Sequence, residues 1–152
     1  RAGGRLSRTR GRGLAARRPL DGAAGLSGPG RLLALLYAVF ALAAGARAAV
    51  QIGERFAVAP AAYLLSALAA GLYLILAVTI GSEDPGRRRI AAGALAIEAA
   101  GVLVVGALTA TSSIDLADET VWSGFGAGYG WLPLVLPLIG IAWLACRARK
   151  PT

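Results

Sequence analysis

A glutamate inside an apolar run is the side chain here whose position is chemically most expensive. Glu98 lies within Ile90–Ala110, eight residues in from Ile90. At ~1.5 Å per helical residue that is about 12 Å of depth. A bare carboxylate there is costly in hydrocarbon. Three roles are open to it: a neutral, hydrogen-bonded structural group, half of an ion pair with an arginine, or a site for a proton or cation. Ala94, Gly101 and Val105 share its helical neighbourhood, a partly small face that points it into a bundle. Arg47, inside Leu32–Val50, is the obvious partner. It sits about 24 Å along its helix from Arg31, so the two backbone levels differ by about 12 Å. Gln51 and Glu54 offer Arg47 nearer company, a polar stripe at four and seven residues on its own helix. Its long side chain can also snorkel to the interface. The stripe is the better expectation.

The other distinctive sequence is WSGFGAGYGW, from Trp122 to Trp131. Glycine recurs at every second position from Gly124 to Gly130, with Phe125, Ala127 and Tyr129 between. It has the look of a phosphate-cradling loop, but no strand precedes it and no Lys-Ser/Thr follows. Trp122, Phe125, Gly126, Gly128, Tyr129, Gly130 and Trp131 are read as an aromatic anchor at the outer membrane interface, with a partner or small-ligand surface as the other reading. Pro133 and Pro137 are expected to kink the helix that follows. Asp115, Asp118 and Glu119 could gather around a hard cation, but solvated surface charge is the simpler reading, and no metal site is expected. Thr109, Thr111, Ser112 and Ser113 are read as the cap of the third span. There is no histidine, and Cys146 is the single cysteine. An internal disulfide and a CxxC redox pair are therefore excluded. No catalytic residue and no cofactor motif stands out, so the chain is read as no enzyme.

These side chains must be held by four apolar runs, at about 32–50, 61–80, 90–110 and 125–146. The chain is 57% hydrophobic, with a mean hydropathy of +0.64. Soluble domains sit nearer ~45–50% apolar, and runs of this length cross ~30 Å of hydrocarbon. The links 51–60, 81–89 and 111–124 are short, which makes successive helices antiparallel neighbours. The expected fold is an all-α membrane protein, a four-transmembrane-helix antiparallel bundle spanning residues 31–147. Residues 1–30 form a basic arm with no apolar periodicity, read as disordered, and 148–152 form a basic tail. Fourteen cations lie on the arm with Arg31, the second link, and the tail with Arg147, against Arg55 alone on the opposite side. The positive-inside rule then puts both termini in the cytoplasm, and the even number of spans agrees.

Ala46-Arg47-Ala48 imitates a signal-peptidase site, but the apolar pattern continues through Ala49 and Val50, so an uncleaved first span is expected. Small residues recur every four positions at Ala41, Gly45 and Ala49, at Ala67 and Gly71, and at Gly126 and Gly130. They suit close helix packing, within the bundle or against a partner. The net charge of +8 flanks hydrophobic spans, so anionic lipid at the cytoplasmic face is the expected partner rather than nucleic acid.

The runs YAVFALAAGARAAVQ (Tyr37–Gln51), AAYLLSALA (Ala61–Ala69) and TVWSGFGAGYGWLPLVLP (Thr120–Pro137) resemble a family of small actinobacterial integral membrane proteins. The resemblance covers about residues 31–146. It implies a four-span protein of a bacterial plasma membrane and carries no activity or binding residues with it. The functional expectation is a non-enzymatic accessory subunit or scaffold, without cofactor, in a homo-oligomer or a larger membrane complex. The alternative is a small oligomeric transporter or proton-coupled carrier that uses Glu98.

Overall fold

A computed structural model describes residues 28–149. The basic arm up to residue 27 and the tail from residue 150 lie outside the described residues, and so does the expectation of disorder for the arm. Helix α1 runs Gly28–Arg55, α2 Pro60–Thr79 and α3 Pro85–Ala110. A short 3-10 helix, Ser123–Tyr129, then leads into α4, Leu132–Ala148. The described chain is all-α, and α1, α2 and α3 are each long and apolar enough to cross a membrane. The 3-10 helix and α4 count as a fourth span if taken together, although a 100° bend separates them.

Local chemistry sets these ends. Pro60 and Pro85 each open a helix, where a missing N–H costs nothing. The Asp84 carboxylate caps α3 by accepting from the Arg87 backbone N–H at 2.8 Å. At the far end of α3, Ser112 takes φ 53°. Ser113 N–H reaches Leu108 C=O at 2.9 Å and Ser112 N–H reaches Thr109 C=O at 3.2 Å. These paired bonds are a Schellman closure, built with serine in glycine's usual place. Thr109 and Thr111 hydroxyls also return to carbonyls four residues back, so this cluster caps the helix.

The packing is inverted relative to a soluble bundle. Leu35, Leu42, Leu68, Val78, Leu103 and Leu138 are all largely exposed, while polar Glu98, Ser66, Thr79 and Gln51 are inside. Hydrocarbon is the solvent that tolerates such a surface, and the backbone bonding it requires is met within helices. The chain is a multi-span membrane protein. Its interior is aromatic as well as aliphatic: Tyr37, Tyr73, Leu76, Ile80, Leu95 and Val102 have no exposed surface. Helices α1 and α2 pack along their length, with Ala44, Ala48, Ala69 and Ala70 all buried. The expected small-residue register is used in part: a Cβ at Gly45 would stand 3.9 Å from Ala70, whereas Gly71 has nothing within 4 Å of where a Cβ would stand. The first span also continues past residue 50, so Gln51 is helical and the link shortens to residues 56–59.

The fourth run differs most from expectation. Its first part does not continue into α4. Gly124, Phe125 and Gly126 take φ of 55°, 60° and 80°, and Gly130 and Trp131 take 64°. Left-handed backbone cannot continue a right-handed helix, so the chain turns at Gly130–Trp131 instead. Pro133 does not kink a helix either: it sits in the first turn of α4, which suits its fixed φ. Pro137 does lie inside α4.

Candidate functional site

Two polar layers cross this apolar bundle. The first is at mid-bundle. Glu98 is the fourteenth residue of the 26 in α3 and has no exposed surface. The Tyr37 hydroxyl, from α1, donates to its Oε2 at 3.1 Å. The Tyr37 ring lies 6.0 Å from the Tyr73 ring of α2, centroid to centroid, and Phe40 meets Tyr73 edge-on at 5.8 Å. Glu98 therefore has a hydroxyl donor where an arginine had been considered, and its Oε1 has no hydrogen-bond partner.

Trp122 closes this layer from the loop side. It is 2% exposed, so the expectation that it anchors in the interface is corrected: it is a core residue. Sequence explains how it gets there. The Thr120 hydroxyl accepts from the backbone N–H of Trp122 and of Ser123, both at 3.0 Å. The Gly124 N–H donates to the Thr109 hydroxyl at 2.9 Å. These bonds pin the segment across the end of α3, and Gly101 receives the indole. A Cβ at Gly101 would stand 2.6 Å from the ring. Gly106 admits the Phe125 backbone in the same way, at 2.8 Å. Phe125 itself is half-buried and stacks on exposed Trp131 at 6.5 Å and 15°. Gly126 is buried against Pro133, while Gly128 and Gly130 are exposed. The predicted aromatic patch thus divides into a buried plug, Trp122, and a stack of half-buried Phe125 on exposed Trp131.

The second layer is nearer the acidic loop. Gln51 Nε2 and the Tyr63 hydroxyl both donate to Asp118 Oδ2, at 3.3 and 3.1 Å. The Glu119 backbone N–H donates to Asp118 Oδ1 at 2.8 Å. That backbone bond, then the Tyr63 hydroxyl and the charges of Arg47 and Arg55, hold the Asp118 carboxyl below its ordinary range, against some desolvation. Arg47 donates to the Tyr129 hydroxyl at 2.7 Å and lies over that ring at 6.0 Å. The expected Arg47–Gln51–Glu54 stripe is not formed: Arg47 reaches Tyr129, Gln51 reaches Asp118, and Glu54 is exposed. Arg47 and Glu98 are not brought together. Tyr37 and Arg47 are ten residues apart on α1, about 15 Å along its axis, and Glu98 is at the Tyr37 level.

Sequence reading missed Tyr37, Tyr63 and Tyr73. Each sits in an apolar run and passes as bulk hydrophobic. The available signal is that a buried tyrosine hydroxyl needs a partner, and these helices offer few. Among the described residues the one ion pair is Arg147 with Glu83, at 3.3 Å, and no group of three ligating side chains could hold a metal. The chain matches no protein-family model, no curated protein and no solved structure in comparisons with each. The resemblance drawn from its three sequence runs therefore gains no support from them, and no family is identified.

Proposed function

We propose that this chain is a non-enzymatic subunit or scaffold of a bacterial plasma-membrane assembly, seated with both termini in the cytoplasm. The observation that carries it is the outward face of α3. Ala92, Ala96 and Ala100 follow one another at four-residue spacing, all exposed, beside an equally exposed Gly93. Gly93 has nothing within 4 Å of where a Cβ would stand. Large aliphatics dominate the rest of the surface, and the small residues exposed on other helices, Ala43, Ala46 and Ala49 on α1 and Ala142 and Ala145 on α4 among them, do not form three in a row at that spacing within a helix. In lipid, small residues serve helix association, because they let a second backbone approach. Exposed Ile97 and Leu103 flank the stripe and would grip such a helix.

The orientation rests on charge. Arg87, Arg88 and Arg89 stand in the first turns of α3, the end of a helix that repels cations. Their placement makes sense as a contact with anionic headgroups of the inner leaflet. The basic arm and tail, on the same side by sequence, would share that contact. Cys146 is exposed near the same end. Placed in the cytoplasm, it would react with a membrane-impermeant maleimide in opened cells and not in intact ones.

Sedimentation in mild detergent tests the assembly reading. The particle should exceed one 15.4 kDa chain, and Ala96→Leu with Ala100→Leu should reduce it to a single copy. One copy in both would refute the reading. A second reading, a proton-coupled carrier, is favoured by one observation, the unpartnered Glu98 Oε1 at mid-bundle. Against it, the clefts at the Gly81–Arg87 end and in the acidic loop are lined without Glu98. Flux in vesicles that is lost in Glu98→Gln would establish the carrier, and equal flux would dismiss it.

A further inference from the structure

Six buried side-chain atoms among the described residues have no hydrogen-bond partner: Gln51 Oε1, Ser66 Oγ and Trp143 Nε1, and a group of three made of Glu98 Oε1, the Tyr73 hydroxyl and Trp122 Nε1. Glu98 and Tyr73 have no exposed surface and Trp122 has 2%. They belong to one neighbourhood. Tyr37, bonded to Glu98 Oε2, packs ring to ring with Tyr73. The Trp122 indole lies on Gly101, one helical turn along α3 from Glu98. The Tyr73 hydroxyl is close to the Trp122 indole, at most weakly hydrogen-bonded to it, and within electrostatic reach of Glu98 without bonding to it. Leaving each such group unpaired costs about 1–3 kcal/mol. Native interiors seldom accept three such losses at one place.

The donor inventory narrows what can answer them. The Trp122 indole can only donate, a tyrosine hydroxyl can donate or accept, and a carboxylate oxygen accepts. One occupant serving all three must accept from Trp122 and either donate to an ionised Glu98 or accept from a protonated one. A bare cation cannot accept a hydrogen bond. A halide cannot donate one, so it cannot serve the ionised carboxyl, which also repels it. Water does both, and with Tyr73 it makes the three bonds usual for a buried water.

We infer that Glu98, Tyr73 and Trp122 form a binding site for one water molecule at the centre of the bundle. The water bridges α3, α2 and the loop segment, and it gives the mid-span carboxyl a neighbour with which a proton can exchange. The site is independent of the assembly reading. The rival arrangement is dry: a small shift lets Trp122 donate directly to Tyr73 and Tyr73 to Glu98.

Nuclear magnetic resonance on the full chain in lipid nanodiscs separates the two. Trp122, Trp131 and Trp143 each give one indole N–H signal, assigned with Trp131→Phe and Trp143→Phe. Magnetisation transfer from water is then read at each. A bound water predicts a cross-peak at the Trp122 indole that builds up without a lag and persists in Tyr73→Phe, where no hydroxyl remains at that position to relay it. Absence of the cross-peak in the unmodified chain overturns the site. So does a build-up with a lag, which marks relay through the Tyr73 hydroxyl. The build-up is measured on the unmodified chain, so the outcome stands even if Tyr73→Phe does not fold.

Discussion

Tyr37 is the residue on which the state of Glu98 depends. Its hydroxyl is the one donor bonded to a fully buried carboxyl. Tyr37→Phe should therefore lower thermal stability in detergent by about 1–3 kcal/mol, the cost of an orphaned buried group. Glu98→Leu in the Tyr37→Phe background should then cost less than it does alone, because the orphan is gone. Strictly additive losses in that double-mutant cycle would show that the pair does not interact. The same logic distinguishes the partners of Arg47. A cycle of Arg47→Gln with Tyr129→Phe should show coupling, whereas one with Glu98→Gln should be additive. Asp118 adds a pH dependence. Its folded carboxyl titrates below its ordinary value, first because of the Glu119 backbone N–H. It thus contributes stability that is present above the ordinary aspartate range and lost as pH falls through the lower, folded value. Thermal melts at descending pH should lose stability in that acid window, and Asp118→Asn should remove the step. Sequence alone made Glu98 conspicuous, because a charge interrupts an apolar run. It left the partner hidden, because a tyrosine in such a run reads as one more hydrophobe.

Close approach decides the behaviour of the elements. At Gly101 and Gly106 an added Cβ would stand 2.6 Å from the Trp122 ring and from the Phe125 ring edge. At Gly106 the Phe125 backbone is also within 2.9 Å, and backbone cannot swing aside as a ring can. Gly106→Ala should accordingly cost more than Gly101→Ala, with losses of about 1–3 kcal/mol typical of overpacking. Gly71→Ala, in open space, should be neutral or stabilising, since alanine is the better helix former. Equal effects at all three sites would contradict the described packing of the loop on α3. Helices α1 to α3 were legible because length, hydropathy and flanking charge agree over some twenty residues each. The break before α4 was less so. It depends on Phe125 and Trp131 adopting left-handed backbone, which bulky side chains resist, and stacking between them at 6.5 Å is a tertiary effect that composition does not announce. The burial of Trp122 was hidden for the same reason, since an aromatic beside a polar loop also suits an interface.

At the scale of the molecule, the inverted surface and the one-sided arginines make membrane insertion the part of the account that sequence already carried. The outward face of α3 was not legible. Small residues occur throughout the chain, and only the packing shows that Ala44 and Ala48 are used internally while Ala92, Ala96 and Ala100 are left as an exposed row on one helix. That leftover face is what the proposed subunit role depends on. Native mass spectrometry of the tagged chain released from its own membranes in mild detergent tests it most directly. The account expects defined complexes, of several copies or with a stoichiometric foreign subunit, that disappear in Ala96→Leu with Ala100→Leu while the chain stays folded. A single copy from the unmodified protein, or complexes unchanged by those substitutions, would contradict it.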